Sequence, residues 1–282
     1  MFAPFRPTLR YVMETEVHVY AFSMAANVLL SFFPFLIVMT GICRHVLQWP
    51  AAEQAIYLAL KDFFPGPIER MIHYDLARLV GQRPFQVTSV FLLLFTANGI
   101  FEPLEVALNK AWGIRTNRSF VRNQIVSLGL IFACGALVLV STLLTAINQQ
   151  IWQELGYGRA QITTWMNLAV FKFFALPISV LALFLVYWLL PNGKVPKRCL
   201  VPAAILVGAL EELLKYLYIV GWPAISRKLA AEYGPFYHSV SIILWSFLAS
   251  MVVLAGADWA ARMARARQAE DPERIRHVTL PL

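Results

Sequence analysis

The sequence predicts an all-α polytopic membrane protein with six transmembrane helices and a short amphipathic helical loop on the outer side. Composition is the first reason. Hydrophobic residues fill 59% of the 282 positions and charged residues only 14%, whereas soluble domains carry about 45–50% and about 25%. Mean hydropathy is +0.61. The second reason is that uncharged runs of the roughly 20 residues needed to cross a bilayer recur along the chain.

The spans follow in order. Residues 20–43 form the first, between Glu16 and Arg44, with no formal charge inside. Its length and the central Pro34 mark a retained anchor rather than a cleaved leader. The second, 85–101, holds "FQVTSVFLLLFTANGIF" ahead of Glu102. The third, 124–147, lies between Arg122 and Glu154, and the fourth, 164–190, is interrupted by Lys172 and Pro177. The fifth is 200–221, and the sixth, 239–259, starts after the turn-like "EYGPFY" and stops before an Arg-rich tail, 262–282. The chain 1–282 is thus expected to be a single integral membrane domain.

Between the first two spans, the loop 44–84 carries two stretches of helical spacing. Ile56, Leu60 and Phe63 share one face, Ile68, Ile72 and Leu76 another, and Pro65-Gly66-Pro67 separates them. Such helices either lie on the membrane surface or pack against the ends of the spans.

Net charge is +8 and the isoelectric point is near 9.6. The basic residues sit in short connections and in the tail rather than along one stripe, so they point to anionic lipid headgroups and not to nucleic acid. With the N-terminus inside, 14 of the 24 Lys and Arg fall on the inner side and eight on the outer side. Both termini are therefore expected to be cytoplasmic. Trp152, Trp165 and Trp222 near the outer boundary, and Trp112, Trp188 and Trp259 near the inner one, have the distribution of interfacial belts.

Signatures of catalysis are missing from the sequence. Cys43, Cys134 and Cys199 are widely spaced, without the CxxC pattern of a zinc site, and fit as small apolar fillers. The five histidines form no HxH, HExxH or HxxxH pair, and there is no GxSxG elbow or GxxxxGK[ST] loop. No catalytic residue, metal site or cofactor is expected. Any transport would then be passive, ion-coupled or driven by a partner.

The fifth span is the informative one. "GALEELLKYLYIVGW" (208–222) places Glu211, Glu212 and Lys215 inside an apolar helix. One charge at bilayer depth costs at least about 2.5–3.5 kcal/mol, so three without partners would oppose insertion. At 100° per residue, Gly208, Glu211, Glu212, Lys215 and Tyr218 share an arc of roughly 120°. Leu206, Leu210, Leu213 and Leu217 lie opposite. Glu211 and Glu212 stand four and three residues before Lys215, spacings that allow pairing along the helix. Lys172 lies about eight residues from the outer end of span four, or about 12 Å, and Glu212 lies at about the same depth in span five. Lys172 is therefore expected to approach Glu211 or Glu212 and make the cluster formally neutral. Glu211, Glu212, Lys215, Lys172 and Tyr218 are the candidate residues of a substrate site or pathway; an ion-pair staple that sets helix register is the alternative.

Smaller signals have ordinary explanations. Ser239, Ser246, Ser250 and Ala257 make a narrow stripe of small residues suited to close helix packing. Asp258 precedes Arg262 by four residues, the spacing of a helix-end pair.

Six fragments, in order over nearly the whole chain, carry a resemblance: "SFFPF" (31–35), "ALNKAWGI" (107–114), "YWLLPNGKVP" (187–196), "GALEELLKYLY" (208–218), "EYGPF" (232–236) and "LAGADWAA" (254–261). Together they resemble the YihY/BrkB family of bacterial inner-membrane proteins, once assigned as ribonuclease BN. Glu212 and Lys215 match the family's Glu-x-x-Lys. Asp258 stands where Gly-Ala-Glu is more usual, and "ANGIF" (97–101) departs from the pattern. The resemblance implies six transmembrane helices, an inner-membrane location and an envelope-related role. RNA cleavage is not expected, since the sequence lacks the His/Asp cluster of a metal-dependent nuclease. A transporter or flippase-like protein for lipids or amphipathic solutes is the expected function; a non-transporting structural or assembly factor is the alternative. Membrane lipids are the expected partners, with a homo-oligomer or an envelope protein also open.

Overall fold

A computed structural model of the protein describes residues 5–46, 48–50, 53, 56–57, 60, 74, 87–115, 118–154 and 176–270. Its helices are α1 (Phe5–Val12), α2 (Thr15–Gly41), α3 (Val87–Trp112), α4 (Phe120–Glu154), α5 (Leu176–Leu189), α6 (Lys197–Tyr233) and α7 (Tyr237–Glu270). No strand occurs among the described residues. Helices α2 to α7 correspond to the six spans predicted from the sequence, and α1 is an additional short helix that hydropathy did not indicate. The first part of span four, with Lys172, lies outside the described residues, as do Phe63, Ile68, Ile72, Leu76 and the end of the tail.

The helices outrun the apolar segments that announced them. Helix α3 passes through Pro103 to Trp112, and α6 contains both Pro202 and Pro223. Each internal proline removes one backbone hydrogen bond, too little to end a helix held on both sides by neighbours. Helix α2 ends in a π turn, Ile42–Val46, after which Gln48 adopts a positive φ of 48°. At the end of α3, Gly113 takes φ +68°; its N–H donates to the Lys110 carbonyl, and that of Ile114 to the Asn109 carbonyl. This is a Schellman stop, which a residue without Cβ makes at least cost.

Helix α7 is the centre of the bundle and touches α1, α2, α3 and α6. Its small residues permit this. Ser246, Ser250, Gly256, Ala257 and Ala260 bring the neighbouring backbones close. A Cβ on Gly256 would stand 2.1 Å from Val207 Cγ2 of α6 and 2.9 Å from the Tyr187 hydroxyl of α5. In α3, Gly99 leaves room for the Asn27 side chain of α2, which would otherwise collide with it at 2.0 Å. That contact accounts for the glycine of the unusual "ANGIF" fragment.

The buried apolar residues fall into two clusters. One gathers Val17, Ala21 and Met24 of α2, Leu104 and Leu108 of α3, Tyr187 of α5, Leu200, Ala203 and Val207 of α6, and Leu254, Ala257 and Ala260 of α7. The other gathers Leu36 and Met39 of α2, Cys43 of the π turn, Tyr218 and Trp222 later in α6, and Ile242 early in α7. The reversed order along α7 makes it antiparallel to α2 and α6. Ile56 and Leu60 of the loop complete the second cluster, so this part of the loop packs against the span ends rather than lying free on the surface. Trp222 is buried there too, against Tyr218 at 5.2 Å, and is a core residue instead of a belt residue. The side chains of Trp152 and Trp165 lie outside the described residues.

The exterior is apolar. Phe22, Leu30, Phe91, Ile125, Ile205, Leu217 and Val220 are all exposed, a surface that water would drive to aggregate and that hydrocarbon solvates. Segments Thr15–His45 and Lys197–Arg267 are long and apolar enough to cross a membrane, and Val121–Leu137 and Leu176–Leu189 are shorter apolar helices. The chain is an all-α membrane protein.

Candidate functional site

The charged stretch of α6 lies between the two apolar clusters. Leu200, Ala203 and Val207 belong to the first, Tyr218 and Trp222 to the second, and Glu211, Glu212 and Lys215 fall between them in sequence. The arc turns inward: Gly208, Lys215 and Tyr218 are buried, while Leu210, Leu213 and Leu217 on the opposite side are exposed. A Cβ at position 208 would stand 3.0 Å from Val180 Cγ2 of α5, so Gly208 lets α5 and α6 approach closely. Orientation thus follows from helical period alone, since lipid takes the leucines and the bundle takes the charges.

Within the arc, Lys215 Nζ stands 3.0 Å from Glu212 Oε2, with side-chain exposures of 7% and 29%. The i,i+3 spacing read from the sequence therefore forms an ion pair. Glu211 is half-buried, and its Oε1 is shielded from solvent without a hydrogen-bond partner among the described residues. Tyr218 and Ser241 of α7 share a hydrogen bond of 2.6 Å, and the Tyr218 ring packs 4.8 Å from Trp245. The expected approach of Lys172 to Glu211 or Glu212 lies outside the described residues.

Buried serines also occur on two neighbouring helices. In α2, Ser31 donates its hydroxyl to the Val28 carbonyl at 3.2 Å. In α7, which packs against α2 and α6, Ser246 and Ser250 are buried. The serine stripe was legible in the sequence as a packing feature.

A second polar cluster lies at the end of the bundle carrying α1. Asp258 of α7 is buried and accepts from Arg262 Nε at 2.7 Å, the helix-end pair that its spacing announced. It also accepts from Thr8 Oγ1 of α1 at 3.0 Å, a contact across 250 residues that no local pattern could signal. Burial, then the Asp258 charge, raise the Tyr11 phenol above its usual value. The folded state favours neutral Tyr11, so this contribution is complete below the ordinary tyrosine range near pH 10 and fades as pH rises above it. Wild type is expected to release α1 at alkaline pH and Tyr11→Phe to retain it to higher pH, as proteolysis of the N-terminal segment would measure. Identical profiles would refute the link.

At the same end, the "ALNKAWGI" and "YWLLPNGKVP" fragments meet. Asn109 Oδ1 accepts from the Asn192 backbone N–H at 2.9 Å, and Ile114 fits against Gly193. Arg118 donates to the Leu189 and Pro191 carbonyls at 2.9 and 2.7 Å. Glu16 and Lys110 pair at the surface between α2 and α3. Cys43 and Cys199 are buried and Cys134 half-buried, all as free thiols. Among the described residues, no three His, Cys, Asp or Glu side chains gather as metal ligands.

Six helices matching the predicted spans, exposed apolar side chains along them and a buried ion pair within α6 define an integral membrane protein. The family model of the virulence factor BrkB matches residues 8–278, and the chain belongs to that family. It is 25% identical over 280 residues to a UPF0761 membrane protein of Chlorobium chlorochromatii, covering 96% of this chain and 63% of that protein. It is 27% identical to a UPF0761 membrane protein of Acinetobacter baylyi, over 79% of this chain and 52% of that protein. The chain thus spans about half to two thirds of the length of these two relatives. It is also 21% identical to the putative ribonuclease-like protein YfkH of Bacillus subtilis, over 86% of this chain and 88% of that protein. No solved structure matches the chain.

Proposed function

We propose that this chain is a multi-pass protein of the bacterial inner membrane, with both termini cytoplasmic, that moves lipids or other amphipathic solutes across the bilayer. The single observation carrying this reading is the ion pair of Lys215 and Glu212, buried within an apolar helix between residues of two apolar clusters. Ionisable groups at bilayer depth are costly, and ion and substrate pathways are where they are most often kept. Lys215, with Lys172, supplies positive charge for a phosphate or carboxylate headgroup. Glu211 and Glu212 set the charge balance, and the Tyr218 hydroxyl adds a hydrogen-bonding group, while the flanking leucine face accommodates tails.

A structural or assembly role is the second reading. The contact at Gly256, where α7 leaves no space for a methyl group, favours a rigid bundle with the ion pair as a staple. Liposomes holding the full chain and a fluorescent phospholipid, bleached from outside by dithionite, separate the two. Transport predicts rapid loss of the inner-leaflet signal with wild type and its protection with Glu212→Gln. Inner-leaflet protection in folded wild type would leave only the scaffold.

A further inference from the structure

Beside the Arg118 contacts, a cleft of about 600 Å³ opens between the start of α4 and the α5–α6 connection. Arg118, Ser119 and Arg122 line one side, and Trp188, Pro191 and Asn192 the other. We propose that this cleft binds a phosphate-bearing ligand, held by the Arg118 and Arg122 guanidiniums and the first turn of α4.

Four observations converge on that chemistry. Two of the five donors of Arg118 are spent through Nη2 on the carbonyls of Leu189, at the end of α5, and Pro191 just after it. This fixes a guanidinium in place with donor capacity left over, the geometry that suits a tetrahedral anion. Arg122 is exposed at the mouth and forms no salt bridge among the described residues. Helix α4 begins at Phe120, so its first backbone N–H groups lack helical acceptors on the same side as Ser119. Lys197 Nζ sits 4.0 Å over the Trp188 ring and adds a third cation beside the cleft. Glu105 is the acid whose field reaches Arg118, leaving the site with excess positive charge.

The location suits a headgroup. Trp188 keeps 37% of its surface exposed next to exposed Leu189, an amphipathic rim such as tryptophans form at membrane boundaries. A phospholipid headgroup and free phosphate share the required chemistry. This inference does not depend on the transport reading, because the cleft and the α6 arc use different residues.

The test uses the full chain in neutral detergent and follows retained lipid by native mass spectrometry. The probes are phosphatidylglycerol and inorganic phosphate. Arg122→Gln is expected to weaken binding about tenfold, the loss of one charge-assisted contact, and Arg122→Lys to keep most of it. Arg227→Gln, on an exposed turn of α6, is expected to match wild type. Displacement of the lipid by millimolar phosphate assigns the site to the free ion; retention under phosphate assigns it to the headgroup. Equal affinities for wild type, Arg118→Gln and Arg122→Gln, or no affinity of wild type for either probe, would overturn the proposal. Should Arg118→Gln fail to fold, exposed Arg122 decides alone. A negative result leaves the dithionite outcome unaffected.

Discussion

Gly256→Ala is expected to destabilise the protein by about 1–3 kcal/mol, the cost of forcing atoms into an already filled contact. The new methyl carbon would begin 2.1 Å from Val207 Cγ2 and 2.9 Å from the Tyr187 hydroxyl. Neither neighbour yields easily. Val207 is fully buried in α6, and the Tyr187 hydroxyl donates to the Val253 carbonyl at 2.7 Å. Val207→Ala in the same chain removes the closest atom, so the double variant should recover most of the loss. The fraction folded across a denaturing-detergent titration measures both. A Gly256→Ala protein as stable as wild type would show that α6 and α7 do not meet this closely.

Glu212→Gln should be comparably damaging, for electrostatic reasons. It removes the carboxylate lying 3.0 Å from an ammonium that keeps only 7% of its exposure. Breaking a buried pair by removing one partner costs about 3–5 kcal/mol, and the residual exposure of Glu212 places the loss near the lower end. Glu212→Gln/Lys215→Met removes both charges and should restore stability, because a neutral pair no longer opposes burial in lipid. The same double variant also distinguishes the two roles. Restored folding without lipid movement assigns the pair to transport, whereas restored folding with wild-type movement reduces it to a staple.

Much of the α6 arc could be read in advance because the helix repeat converts sequence spacing into direction. Leucines at 210, 213 and 217 and charges at 211, 212 and 215 can occupy opposite faces only one way in a bilayer. Span existence was legible for the same reason, since hydropathy is a local sum. Helix ends were not. Helices α3 and α6 run on past the ends of their apolar runs, through Pro103 and Pro223, each at the loss of one backbone hydrogen bond. Contacts between distant segments were equally hidden. Thr8 with Asp258, Arg118 with the Leu189 and Pro191 carbonyls, and Asn27 against Gly99 join residues whose local patterns carry no mark of one another. Small and polar residues at these positions read individually as packing or solubility features.

The length of α6 has a geometric consequence. Its 37 residues span about 55 Å at 1.5 Å each, more than the roughly 40–45 Å of a bilayer with its headgroups. The 34 residues of α7 return alongside it for about 50 Å. Residues 231–236, at the reversal between them, are all exposed. Standing upright, the pair would outreach such a bilayer by a turn or more, which would leave part of it in water beyond the headgroups.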